Sequence, residues 1–409
     1  MKTPGNAKAT ILAAAAMLFL AVVFSYNTLQ NASHEDYRNS NFSKFWIAGH
    51  MITQGLNPYD PVQWYEEHVR LGSTWTPDRI FLYPLPQAFI LAPFGLVPAA
   101  QAFLIWSFLS QIVIAAACFL LLKAAGPGRH RKLFIPLVLC MLFFGPAYLT
   151  LQVGSIGGIA LAVIVAAILL LSHDRSLLAG LLLSLLILKP SQGLPLLLLI
   201  GLWFLFRRNL RAVVGMLVGG LALLISGLLY DPQWIQKFLG NSAGVSARTA
   251  GEQSNVFSFA DLACRDQQGC MWAVGIFAAF IVLAVGSYFL WRNRANWNDW
   301  QALNLIIPLG FLTAPYSWSY DQLLYVIPIV WITARLMGTS RPYLFALLFL
   351  VGIDVVAFIA LAVQAYTQRD LLSVTTTGLV LGAYAWLLYG EAGAVHGAAP
   401  APLSPGDAG

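Results

Sequence analysis

Charged side chains are scarce in this chain: Asp, Glu, Lys and Arg make up 10% of its 409 residues, against 59% hydrophobic. A water-soluble domain keeps roughly a quarter of its residues charged, so that class is excluded. The mean hydropathy of +0.72 points to a polytopic membrane protein. Cysteine is sparse too, with four residues. Cys118 and Cys140 fall inside apolar runs and read as inert core residues. Cys264 and Cys270 share one polar loop, where an oxidising compartment would permit a disulfide closing a small ring. The chain has no Gly-x-x-x-x-Gly-Lys-Ser/Thr loop and no soluble segment large enough to hold a nucleotide sugar. Nor do its loops carry a compact His, Asp and Glu cluster, so neither a metal nor another cofactor is expected. The net charge of +6 does not imply nucleic acid, because the Lys and Arg residues sit in short segments between apolar runs.

A helix of roughly 20 apolar residues crosses the hydrocarbon of a bilayer. About twelve segments reach or approach that length, near 9–27, 98–122, 132–150, 154–172, 176–188, 191–206, 212–230, 271–291, 300–314, 319–335, 342–363 and 371–389. The expected fold is therefore all-α, a single transmembrane domain over 1–389 with a disordered cytoplasmic tail over 390–409. The first run reads as an uncleaved anchor. Basic residues accumulate on the cytoplasmic side of membrane proteins. With these spans Lys2 and Lys8, Lys123 to Lys132, Arg207 to Arg211, Arg292 and Arg294, and Arg335 and Arg341 all fall on one face. The opposite, external face then carries a long first loop (28–85), a second large loop (231–270) and the turn from Thr313 to Asp321. The second loop either closes over a substrate or serves as a flexible connector. Two short runs end in breaks on that face, at Lys189-Pro190-Ser191-Gln192 and at Ala314-Pro315-Tyr316-Ser317-Trp318. A break at membrane depth is tolerated only against protein or a wet cavity.

The first loop reads Asp36-Tyr37-Arg38, then an apparent amphipathic helix over 42–54 with Phe42, Phe45, Trp46, Gly49, Met51 and Ile52 along one side, suited to lying on a membrane. A turn follows at Gly55-Leu56-Asn57-Pro58-Tyr59-Asp60-Pro61, and Tyr83-Pro84 lies further on. Together with Gln152-Val153-Gly154, Leu188-Lys189-Pro190-Ser191-Gln192 and Tyr316 to Asp321, this ordered set resembles glycosyltransferase family 87, mannosyltransferase-like membrane enzymes of the GT-C fold. No single element is specific; their order over residues 9–335 carries the likeness. Leu85 replaces a proline of the family's Tyr-Pro-Pro element, and some members carry His where Tyr320 or Asp321 stands here.

The resemblance implies inverting transfer of a sugar, mannose or a related hexose or pentose, from a polyprenyl-phosphate donor to a lipid or glycan acceptor. It places the active site on the external, periplasmic face of a bacterial plasma membrane, among membrane lipids, with an acidic residue of the first loop as general base. Asp36 takes that role. The chemistry agrees: one carboxylate deprotonates the incoming hydroxyl, and a cation stabilises the departing phosphate. Lys189 is the first candidate for the cation, because an ammonium near the hydrocarbon boundary needs an anion. Arg38 and Arg79 are its rivals. Candidate substrate contacts are Tyr83, Gln152, Gln192, Gln253, Asn255, Trp318, Asp321 and His50. Each also has a plainer reading: Asp36 as a helix cap, Lys189 snorkelling, Gln152, Gln253 and Asn255 closing helix ends, Asp321 bonding a neighbouring helix. A transporter or flippase of lipid-linked or glycan substrates is the alternative function, since it too uses broken helices, but no inverted repeat supports it.

Overall fold

The computed structural model describes residues 19, 22, 23, 25, 26, 28–30, 36–74, 80–126, 129–265, 267–339 and 341–397. Among these the chain is all helix, with no strand. After a 3-10 turn at Asp36–Asn39 come α1 (Asn41–Thr53), α2 (Pro61–Leu71), α3 (Leu85–Gly95), α4 (Ala99–Ala124), α5 (Arg129–Phe143), α6 (Gly145–Val153) and α7 (Gly157–Ser172). The chain continues with α8 (Ser176–Leu183), α9 (Pro190–Phe206), α10 (Leu210–Tyr230), α11 (Trp234–Thr249), α12 (Val256–Cys264) and α13 (Gln268–Arg292). The last helices are α14 (Asp299–Thr313), α15 (Val326–Leu336), α16 (Pro342–Thr367) and α17 (Val374–Gly397), with 3-10 segments at Ser184–Leu188 and Ser319–Tyr325.

Proline sets many of the helix starts. Pro61, Pro86, Pro146, Pro190 and Pro342 each stand in a first turn, where the missing N–H has no intrahelical partner to lose. Side-chain caps set others. Asp60 accepts from Val62 and Gln63, Asn255 from Phe257 and Ser258, and Asn298 forms a reciprocal box with Gln301.

Each expected segment from 98–122 onward coincides with helix, and 9–27 lies largely outside the described residues. Five described helices are long and apolar enough to cross a membrane: α4, α10, α13, α16 and Leu371–Leu388. A sixth span results if α5 and α6, bent by 59° at Phe144, count as one. The helices α7 and α9 and the α8 unit through Leu188 are apolar but shorter. Large apolar side chains on α10, α13 and α16, such as Leu217, Phe280 and Leu347, are exposed, as surfaces facing lipid are. The main core lies between α4–α9 and α14–α17 around Phe144, Trp203, Phe311 and Tyr325, and α15 is buried along nearly its whole length.

The basic connections grouped by charge also meet in space. Arg207 donates to the Arg294 carbonyl at 2.6 Å, Trp203 to Asp299 at 2.7 Å and Asn209 to Ser176 at 3.1 Å. Ala124, Asn298 and Arg335 line one small hollow.

Two expectations change. The 42–54 helix does not lie on a surface: α1 buries Phe42, Phe45, Ile47, Ala48 and Met51 within protein. Gly49 and Gly95 let α1 and α3 touch backbone to backbone, since a Cβ at either would overlap the other helix. The amphipathic helix is α2, which buries Trp64, Glu67 and His68 and exposes Val62, Tyr65 and Val69. Second, the 231–270 loop is built of helices α11 and α12, and its cysteines 264 and 270 are disulfide-bonded. Asp231 joins the two long loops by accepting from Asn57 at 2.8 Å and Lys237 at 2.7 Å. Burial raises the Asp231 pKa, but these two bonds and the Gln233 N–H outweigh it and hold the carboxyl below its ordinary range. Helix α17 runs to Gly397.

Candidate active site

A cavity of about 600 Å³ opens where the first long loop, the Lys189 break, α11 and the 314–318 segment converge. Asn41 and Lys44 reach it from the first turn of α1, and Leu82 and Tyr83 from the approach to α3. Lys189, Pro190 and Ser191 form one rim and Pro315 and Tyr316 another. Away from these polar groups the walls are Leu194, Pro195 and Leu198 of α9, Phe238 and Leu239 of α11 and Leu283 of α13. The cavity is therefore polar and cationic at one end and apolar along the rest.

Lys189 sits where α8 and its 3-10 extension stop and Pro190 starts α9, at φ −124° and ψ 80°. Its side chain is 9% exposed and its Nζ donates to Asp321 Oδ1, itself wholly buried. The ammonium also stands 4.8 Å from the Tyr320 ring centroid. The counter-charge expected for Lys189 from a lipid phosphate is thus supplied within the protein by Asp321, and Lys189 also lines the cavity.

Asp321 belongs to a strap, residues 314–322, that runs through the protein as irregular backbone to Trp318 and then as the start of the Ser319–Tyr325 3-10 segment. Its backbone groups are met by side chains, most of them from elsewhere in the chain. Gln253 Oε1 accepts from Ser317 N at 2.6 Å, Asp321 Oδ2 from Trp318 N at 3.1 Å and Asp370 Oδ2 from Ser319 N. Thr150 donates to the Tyr320 carbonyl at 2.8 Å. Such satisfaction is obligatory for irregular backbone buried away from water. Asp370 also accepts from Ser373, and its own N–H donates to the Glu252 carbonyl at 2.6 Å. Burial pushes the Asp370 carboxyl up to about 7, against the Ser373 and Ser319 hydrogen bonds that lower it, with the charge of Asp321 adding to the rise. Tyr83 is likewise raised above the ordinary phenol value, first by burial, then by Tyr316 and Asp321, so it remains a neutral donor.

The cavity and its strap thus gather Tyr83, Lys189, Asp321, Trp318 and Gln253 from the residues singled out in the sequence. Gln192 is buried beside them in a narrow hollow behind Lys189, its Nε2 without a partner among the described residues. Asn255 is occupied as the α12 cap and donates to Gln253 at 3.1 Å. Gln152 is exposed and donates to Tyr148. Arg38 stacks over Tyr37 and donates to its hydroxyl at 3.2 Å, and it is not a wall of the cavity. His50 lies in a different hollow. Arg79 lies outside the described residues, as does the Asp36 side chain. The Asp36 backbone opens the 3-10 turn, whose next residue, Tyr37, is buried against Phe103, five positions before Asn41 enters the cavity wall.

Lys44 and Asp370 were not singled out in the sequence, and Tyr316 was named only as part of the 314–318 break and the Tyr316 to Asp321 element. Lys44 had a usable signal, a lysine inside the otherwise apolar run Phe42 to Gly49. Asp370 had none, because the strap residue it holds, Ser319, is 51 positions away.

A family model for glycosyltransferase family 87 matches residues 81–315. No curated protein matches the chain.

Proposed function

Because the chain belongs to glycosyltransferase family 87 and is an integral membrane glycosyltransferase, we propose that it takes its sugar from a polyprenyl-phosphate donor and passes it, with inversion, to a lipid or glycan acceptor on the external face. The observation that carries this reading is the cavity: apolar along α9, α11 and α13 and bounded at its polar end by Lys44, Lys189, Tyr83 and Tyr316. An isoprenoid chain suits the apolar length, and a phosphate suits the cationic end, where low dielectric strengthens each charge.

In this mechanism Asp36 accepts the proton of the acceptor hydroxyl as the new glycosidic bond forms and the bond from the anomeric carbon to the phosphate oxygen breaks, its electron pair leaving with the phosphate. Lys189 and Lys44 receive the developing phosphate charge, with Tyr83 as a neutral donor, and the leaving group needs no proton. Asp321 holds Lys189 in place before the donor arrives. With twelve spans, Lys189, the strap, Glu252 and Asp370 would all lie on one side of the membrane. The disulfide of the Cys264 loop supports an oxidising compartment on that side.

The test uses purified protein in nanodiscs with labelled polyprenyl-phosphate sugars. Asp36→Asn is expected to abolish transfer while donor binding persists, and Lys189→Met to weaken donor binding itself. Full transfer by Asp36→Asn would remove the base assignment. Movement of the donor between leaflets without a new glycosidic bond would replace transfer with flipping.

A further inference from the structure

His50 lies in a second hollow, of about 410 Å³, between the C-terminal end of α1 and the side of α2. Its walls are polar: His50, Gln54, Gln63, Glu66, Glu67 and Arg70, with Leu56 the apolar contributor. His50 Nδ1 stands 2.9 Å from the Gly95 carbonyl, which can only accept, so Nδ1 carries a proton and Nε2 of the neutral ring offers a lone pair. The ring is fixed by stacking on Trp46, at 4.9 Å between centroids and 7° between planes, and the indole N–H is itself held by Val97 O at 2.9 Å.

Glu67 faces this lone pair. Its side chain is 5% exposed, Oε1 accepts from Arg70 at 2.7 Å, and Oε2 stands 4.0 Å from His50 Nε2. That separation is too long for a hydrogen bond. Two acceptors held facing each other across it call for donors between them. Adjacent hydroxyls of a sugar ring meet the requirement, one donating to Nε2 and its neighbour to Oε2. The remaining walls suit hydroxyl oxygens: Gln63 Oε1 is taken by Asn57 N at 3.0 Å, leaving its amide N–H groups as donors beside those of Gln54 and Arg70. Glu66 and Glu67 disfavour a phosphate. A lone cation is disfavoured by Arg70, and among the described residues no group of three metal-ligating side chains occurs.

We propose that this hollow is a carbohydrate subsite that binds a neutral glycan through a pair of adjacent hydroxyls. His50 follows Lys44 by six residues on α1, about 9 Å along the axis and roughly 120° around it, so the two hollows lie on different sides of that helix. That the bound glycan is the acceptor rests on the proposed transfer; the binding of the sugar does not.

The probe is a panel of neutral methyl glycosides and disaccharides of mannose, glucose, galactose and arabinose, titrated into the full chain in phosphatidylcholine nanodiscs and followed by saturation-transfer NMR. Saturable binding on the scale of about 1 mM is expected for at least one member. The exposed double variant Gln54→Ala, Glu66→Ala and the buried variant Glu67→Gln should each weaken it about tenfold, or 1.4 kcal/mol, at unchanged circular dichroism. A deoxy analogue missing one hydroxyl of the pair should lose binding. No saturable binding by any panel member, binding unchanged in both variants, or saturable calcium binding that the sugars do not displace would each overturn the subsite. If sugars bind but no donor supports transfer, the subsite stands and the transferase mechanism falls.

Discussion

Two of the places where this chain departs from regular α-helix inside the protein do so in opposite ways. At 184–190 the helix tightens into a 3-10 turn, Lys189 leaves helical geometry and Pro190 opens α9, with hydrogen bonds running between near neighbours such as Gly193 N to Lys189 O at 2.7 Å. At 314–322 the backbone depends on Thr150, Gln253 and Asp370, from distant parts of the chain. A local break is encoded where it occurs. A strap of the second kind exists only once the rest has folded around it, and it can be re-aimed by changing partners it does not contain. The salt bridge between Lys189 and Asp321 is where the two kinds meet.

The largest expected effect comes from cutting that link. Lys189→Met leaves Asp321 buried without a counter-ion, at a cost of about 3–5 kcal/mol. The double variant Lys189→Met, Asp321→Asn should recover most of the thermal stability in detergent while donor binding stays lost. Recovery of binding along with stability would reduce Lys189 to a structural role. Next, Gly193→Ala drives a methyl into the Leu186 carbonyl and strains the local break, by about 1–3 kcal/mol; an unchanged melting temperature would show that α9 can shift away. Asp370→Ala acts on the strap at a distance, leaving the Ser319 N–H unsatisfied for about 1–3 kcal/mol, and should lower turnover more than donor affinity.

Asp370→Asn sharpens the same point through pH. The folded protein holds the Asp370 proton more tightly than the unfolded chain, with about 7 against the ordinary 3.8. Stability from this group is therefore full below about pH 4 and is lost as pH rises through about 7. The Asn variant lacks that loss, so its melting temperature should gain on wild type across this window and then run parallel. A constant difference would place the Asp370 titration elsewhere. The smallest effect is Gln253→Ala, about 1 kcal/mol, measured as faster hydrogen exchange at Ser317 with the rest of the strap protected.

Much of the scaffold was legible before any coordinates. Apolar runs, prolines and basic turns depend on composition within a few residues, and the helices from Ala99 onward follow them. The Lys189 break was legible for the same reason. The burial of α1 was not, because the periodicity of 42–54 shows that one side is apolar but not that α2, α3 and α4 enclose the helix. Lys44 therefore went unnoticed as a cavity residue, and His50 was grouped with a site it does not line.

By itself the amino-acid order determined an all-helical membrane protein, where its helices stop, and which carboxylate and lysine to suspect, since solvation and backbone geometry act residue by residue. Which side chains share a cavity, that Asp321 neutralises Lys189, and that Asp370 holds the strap were decided only by the tertiary structure. Those pairings join residues 51 to 132 positions apart. Their strength comes from the exclusion of water, a property of the packed whole that no local stretch of sequence contains.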